Sequence, residues 1–154
     1  MITAMSWSNL ATVLATLVTL FGAGVAIVNY RRAVLTRRAE WLSSLHERFF
    51  ETERYAQVRR ILDYHDEPAY SELHHAVAAH EHSPVVDEFF RYLNFFELLA
   101  RLHELGQISN DEIIALFEYD LRLIASHPFI LETLNTQGFE HLPQLLKKTK
   151  LTVR

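Results

Sequence analysis

The chain of 154 residues has no cysteine. That absence excludes a disulfide scaffold, thiolate metal sites and cysteine nucleophiles together. Glycine and proline are sparse, four of each, so few positions can break a helix. Strand signals are missing: no run alternates apolar and polar residues between turn signals. Lysine occurs only at Lys147, Lys148 and Lys150. There is no Gly-rich phosphate loop, no Ser–His–Asp order and no nucleotide motif. These gaps argue against an ordinary soluble enzyme and for an all-α chain. Half the residues are apolar and 12% are aromatic, which argues against disorder.

The net charge of −4 is unevenly spread. Residues 31–40 hold Arg31, Arg32, Arg37 and Arg38 against Glu40, a net of +3. Residues 41–146 carry −11, and the tail 147–154 carries +4. An acidic body is a poor general surface for nucleic acid, which demands basic patches, so no direct general nucleic-acid binding is expected. The two basic ends suit anionic lipid headgroups, and the tail also suits the C-terminal end of a helix dipole.

Leu10 to Val28 is a run of nineteen residues without a charge. As a helix it is about 28 Å long, close to the roughly 30 Å hydrocarbon core of a bilayer. Trp7 and Tyr30 bracket it, as interfacial aromatics do, and Arg31 and Arg32 follow at once. The pattern predicts a transmembrane helix within residues 1–30 and a basic juxtamembrane segment over 31–40. By the positive-inside bias the N-terminus is outside and an acidic domain, 41–146, is cytoplasmic, with the basic tail beyond it. A cleaved signal would carry its basic residues before the apolar run, not after it.

Small residues recur on one side of this segment, among them Ala15, Thr19, Ala23 and Ala26, and Thr12, Thr16 and Thr19 form a threonine stripe. Such a face lets helices approach closely in lipid, so a homo-oligomer is expected, with Thr12, Thr16, Thr19 and Ala23 packing the contact or lining a pore. The competing reading is an ordinary anchor whose threonine hydroxyls bond their own backbone.

Beyond the anchor, Leu42, Leu45 and Phe49, then Tyr55, Val58 and Leu62, recur at helical spacing. With no proline before Pro68, one long helix is expected to run to about Tyr64. A short helix over 69–79 and a loop at His80–Ser83 follow. Ser83-Pro84 opens the most apolar helix of the soluble part, which stops before Gly106. Ser109 and Glu112 form a capping box for the next helix, which reaches about Ser126. Pro128 and Pro143 begin two last short helices. The expectation is a compact bundle of about five helices.

Three groups are candidate sites. The histidines His74, His75, His80 and His82 cluster, but without the i, i+4 or HExxH spacing of a metal site, so no metal and no cofactor are expected. Arg60 with His65 and Arg122 with His127 each read R-x4-H, and Arg59 stands six residues before His65. That spacing resembles the HEPN ribonucleases, where arginine and histidine bind phosphate and exchange protons with a ribose hydroxyl. HEPN motifs usually follow the arginine with a polar residue. Here Ile61 and Leu123 stand there, so the motif reads as degenerate and the chain as no enzyme. Third, Glu97 sits in the apolar stretch Asn94–Leu99, where a carboxylate needs a partner. Arg101, one turn on, or Arg59 would supply a structural ion pair.

The order of an N-terminal span, Arg31-Arg32, a long helix ending at Arg59–Leu62, then the stretch from Phe89 to Ile113, resembles a family of small bacterial single-pass helical proteins. It is also similar to the membrane accessory protein of type VI-B CRISPR systems, whose soluble part is HEPN-like. The resemblance implies an inner-membrane protein forming a ring-shaped homo-oligomer with a central pore. Its partner would be an RNA-guided nuclease, and together they would depolarise the membrane in antiviral defence. Two alternatives stand beside it: a membrane-tethered adaptor that docks a cytoplasmic partner, and a HEPN-type ribonuclease.

Overall fold

The structure is a computed structural model that describes residues 7–50, 53–64 and 67–149. Among the described residues it is all-helical, with no strand. The order is α1 (Trp7–Phe50), a 3-10 turn (Glu53–Tyr55), α2 (Ala56–Tyr64), α3 (Glu67–Ala78), α4 (Pro84–Glu104), α5 (Asn110–Ser126), α6 (Pro128–Thr136) and α7 (Leu142–Lys148). The chain divides into two compact units, Met1–Glu47 and Arg48–Arg154.

Among the described residues the first unit is a single helix. α1 has 44 residues, about 66 Å at the usual rise. No proline interrupts it, and its two glycines, Gly22 and Gly24, face open space on the side a side chain would occupy. From Leu10 through Trp41 every residue is exposed.

The second unit has a real core. α4 is its centre and contacts α2, α3, α7 and the 3-10 turn. Phe89, Tyr92, Leu93, Phe96 and Leu99 on α4 are fully buried, as their three- and four-residue spacing requires. Phe49 anchors one end, with ring centroids 5.3 Å from Phe96, 5.5 Å from Phe117 and 5.9 Å from Tyr92. At the other end Phe129 on α6 stacks on Phe89 at 5.6 Å and meets Tyr70 edge-on at 5.2 Å.

Chain punctuation follows local chemistry. Ser83 caps α4, its hydroxyl accepting from the Val86 N–H at 3.3 Å. Ser109 and Glu112 complete the anticipated capping box at α5. Gly106 and Gly138, with φ of 68° and 81°, close α4 and α6 in the left-handed conformation that suits glycine. α3 closes the same way without glycine: His80 takes φ 54°, and the Glu81 N–H reaches back to the Ala76 carbonyl at 2.9 Å.

Two sequence expectations change. The long helix does not run to Tyr64: α1 ends at Phe50 and α2 starts afresh at Ala56. A fresh helix has unsatisfied N–H groups at its start. Glu88 on α4 supplies the acceptor, one carboxylate oxygen taking the N–H groups of Gln57 and Val58 at 2.9 and 3.0 Å. Among the described residues six helices follow α1, rather than about five. The restart lets Tyr55, Val58, Ile61 and Leu62 all reach the core.

Candidate functional site

α1 is long and apolar enough to cross a membrane, and the apolar window that qualifies it is exposed throughout. Leu14, Leu17, Val18, Leu20 and Phe21 all lie open, a contiguous apolar surface that soluble monomers rarely present. The threonine hydroxyls on it have local partners. Thr16 donates to the Thr12 carbonyl and Thr19 to the Ala15 carbonyl, each at 2.9 Å. Their protons are thus used within the helix, while their oxygens and the small side chains of Ala15, Ala23 and Ala26 remain on the exposed surface.

The two R-x4-H elements are placed unequally. His65 lies outside the described residues, so the Arg60–His65 pair is described only at Arg60, which is exposed on α2. Arg122 also extends outward and pairs with Glu118 one turn back, at 2.6 Å. His127 is turned inward instead. It is 2% exposed, precedes the first residue of α6, and its Nδ1 is 3.1 Å from the Tyr70 hydroxyl. One member of this pair faces solvent and the other faces the core.

Glu97 finds a partner, though not the anticipated arginines. Its carboxylate accepts three backbone N–H groups, from Glu140 at 3.0 Å, His141 at 2.9 Å and Leu142 at 2.7 Å. Those are unsatisfied donors at the start of α7, so Glu97 caps α7 from across the bundle. Arg101 turns to Glu104 at 3.3 Å. His141 joins them, with Nδ1 2.7 Å from Glu104 and Nε2 3.4 Å from the Arg101 guanidinium. A neutral His141 with its proton on Nδ1 satisfies both contacts.

Arg59 also has other work. Its guanidinium lies over Phe49 and Phe50, 5.4 and 5.2 Å from the ring centroids, and donates to the Phe50 carbonyl at 3.3 Å. Cation–π contact and this bond tie α2 to the end of α1 within the second unit.

The polar centre that the sequence reading missed is Asp120. It is 3% exposed and its Oδ2, like Arg59 Nε, is buried without a hydrogen-bond partner. Burial raises its carboxyl to about 6, against the pull of Arg59 and of the bond from its own backbone N–H. Tyr92 is pushed well above the usual phenol range, by burial first and then by the Asp120 charge. Local geometry explains the placement. α5 bends at Phe117, whose φ of −135° and ψ of 15° leave helical values, and Asp120 stands in the first turn past the bend. Above it a cleft of about 310 Å³ is lined by Phe50, Arg59, Arg60, Asp63, Tyr119 and Asp120. The Tyr119 hydroxyl donates to Asp63 at its rim. A spacing signal was available: Asp120 lies on the same helical stripe as Ile113, Phe117, Leu121 and Ile124.

His74, His75, His80 and His82 are all exposed. Among the described residues no group of three or more His, Asp or Glu is gathered to hold a metal ion.

No protein-family model, curated protein or solved structure matches the chain.

Proposed function

We propose that this chain is a single-span membrane protein that self-associates through α1 and holds its helical bundle at the cytoplasmic face. The observation that carries the reading is the exposed apolar surface from Leu10 to Val28 on an unbroken helix, followed directly by Arg31 and Arg32. Such a surface has no stable home in water. In lipid its small-residue face is suited to a second copy of the same helix.

The protein then acts as an accessory or effector that perturbs the membrane, working with an RNA-guided nuclease in antiviral defence. Close helix packing draws more support than a water-lined pore, because the Thr16 and Thr19 protons are already donated within the helix. The ribonuclease alternative draws less support than either. Its one fully described pair, Arg122 and His127, is split between solvent and core.

The cysteine-free chain makes a clean test. Single variants Ala15→Cys and Ala26→Cys lie on the small-residue face, and Leu17→Cys and Val28→Cys point from the other side of the helix. Each full-length variant is oxidised in native membranes with copper phenanthroline. Disulfide-linked dimers are expected for the first pair and not for the second. Equal linkage at all four positions, or none at any, would reject association through this face.

A further inference from the structure

We infer that α1 carries a binding surface for anionic phospholipid, formed by Arg31 and Arg32 at one level and Arg37 and Arg38 at a second level further along the helix. The inference rests on the membrane-spanning reading and adds a lipid class to it.

The helix sets the spacing. α1 is unbroken through this segment, so the second arginine pair stands about 9 Å beyond the first along the axis. The headgroup layer on one side of a bilayer is about 5–8 Å deep, the difference between its full thickness and its hydrocarbon core. With Arg31 and Arg32 at the inner edge of that layer, Arg37 and Arg38 stand just beyond its outer edge. There they are within the roughly 8 Å screening length of the surface phosphates at physiological salt. Long arginine side chains reach further by extending their charged ends toward phosphate.

The residues between the two levels fit an interfacial position. Val34 and Leu35 are 46% and 66% exposed, too apolar for open water and too close to charge for the hydrocarbon core. Tyr30 and Trp41 are exposed on either side of the basic segment, and such aromatics favour the membrane–water boundary. Glu40 is the one acid among residues 31–40, so the segment has a net charge of +3. Arginine forks pair with phosphate oxygens in bidentate fashion, which favours phosphate-bearing headgroups with no compensating ammonium. The basic segment thus selects anionic phospholipid over zwitterionic phospholipid. Each arginine that reaches a phosphate contributes about a fivefold preference.

The test uses the full chain carrying Trp7→Phe, Trp41→Phe and Tyr30→Trp, so that one tryptophan reports from the boundary. It is reconstituted in phosphatidylcholine vesicles into which acyl-brominated phosphatidylglycerol or acyl-brominated phosphatidylcholine is titrated. Quenching of the tryptophan gives the ratio of the two lipid association constants. The expected ratio is at least about fivefold in favour of phosphatidylglycerol, shrinking toward one in 0.5 M salt. The further double change R37Q/R38Q is expected to lower it several-fold. A ratio near one in the parent, or a ratio that R37Q/R38Q leaves unaltered, overturns the two-level surface. Absence of quenching by either lipid overturns the membrane span itself, and so separates failure of the span from failure of the lipid preference.

Discussion

Asp120 is a carboxyl held where its charge is poorly supported. It titrates at about 6 in the fold against an ordinary 3.8. Between those values the native state binds more protons than the unfolded chain, so stability falls as pH rises through that window. Below about pH 4 the penalty is absent, and above about pH 6 it is fully present. The displacement corresponds to roughly 3 kcal/mol at neutral pH. Asp120→Asn removes the charge while keeping the shape. It is expected to stabilise the bundle at pH 7 by about 1–2 kcal/mol, less than the full amount because a buried amide also needs partners. Thermal melts of the detergent-solubilised chain from pH 4.5 to 7.5 check this. The parent should lose stability across the range and the variant should show a flatter profile; parallel profiles would refute the assignment. That Asp120 enters the core was legible from its stripe with Phe117 and Leu121. That its Oδ2 would be left without a partner was not, because the bend at Phe117 and the burial of Asp120 arise only when the helices of the bundle pack together.

At the scale of elements, the two acids that cap helices from a distance separate what the sequence shows from what it hides. Ser109 and Glu112 cap their own helix three residues apart, and the pattern is readable along the chain. Glu97 and Glu88 cap α7 and α2 from α4, 43 and 31 residues from their first partners. No local rule encodes such a pairing. The sequence reading offered Glu97 an arginine, Arg101 or Arg59, whereas its partners are the backbone N–H groups at the start of α7, which only the fold brings to it. For the same reason the break between α1 and α2 was invisible: no glycine or proline marks it, and Glu88 stabilises the new helix start only after α4 has docked. Replacing Glu97 by alanine strips three N–H groups of their acceptor. It should cost about 2–3 kcal/mol and lower hydrogen-exchange protection in α7 before that of α4. Uniform loss of protection across the bundle would argue against a local cap. Glu97→Gln, which keeps an acceptor oxygen, should recover part of the loss. His80 offers the opposite experiment. A non-glycine residue at φ 54° costs about 1 kcal/mol relative to glycine, so His80→Gly should raise stability by about that much. A destabilised His80→Gly would show that the imidazole contributes more than its backbone costs.

For the whole molecule, the division of labour was the most legible feature, because it depends on chain-length patterns rather than on contacts. Nineteen uncharged residues, a basic stop and an acidic helical remainder are a helix long and apolar enough for a membrane and a folded unit with its own core. Whether the proposed span does more than anchor is decided by its small-residue face. Helix association in lipid depends on close packing rather than on burial from water, so it should be sensitive to bulk and insensitive to hydrophobicity. The triple variant Ala15→Leu, Ala23→Leu, Ala26→Leu is at least as apolar as the parent. It should insert equally well and keep the same melting behaviour in the helical bundle, whose core residues it leaves untouched. Its self-association should weaken by about tenfold or more, equivalent to about 1.4 kcal/mol. Mass measured by light scattering over a dilution series in detergent reads this directly. If the variant and parent dissociate at the same concentration, α1 is an anchor only, and any assembly resides in the bundle. The matching change on the other side, Leu17→Ala with Val28→Ala, reduces apolar bulk without crowding the contact. It should leave the association constant within about twofold of the parent's, so that crowding at one face, and not altered hydrophobicity, accounts for the difference between the two variants.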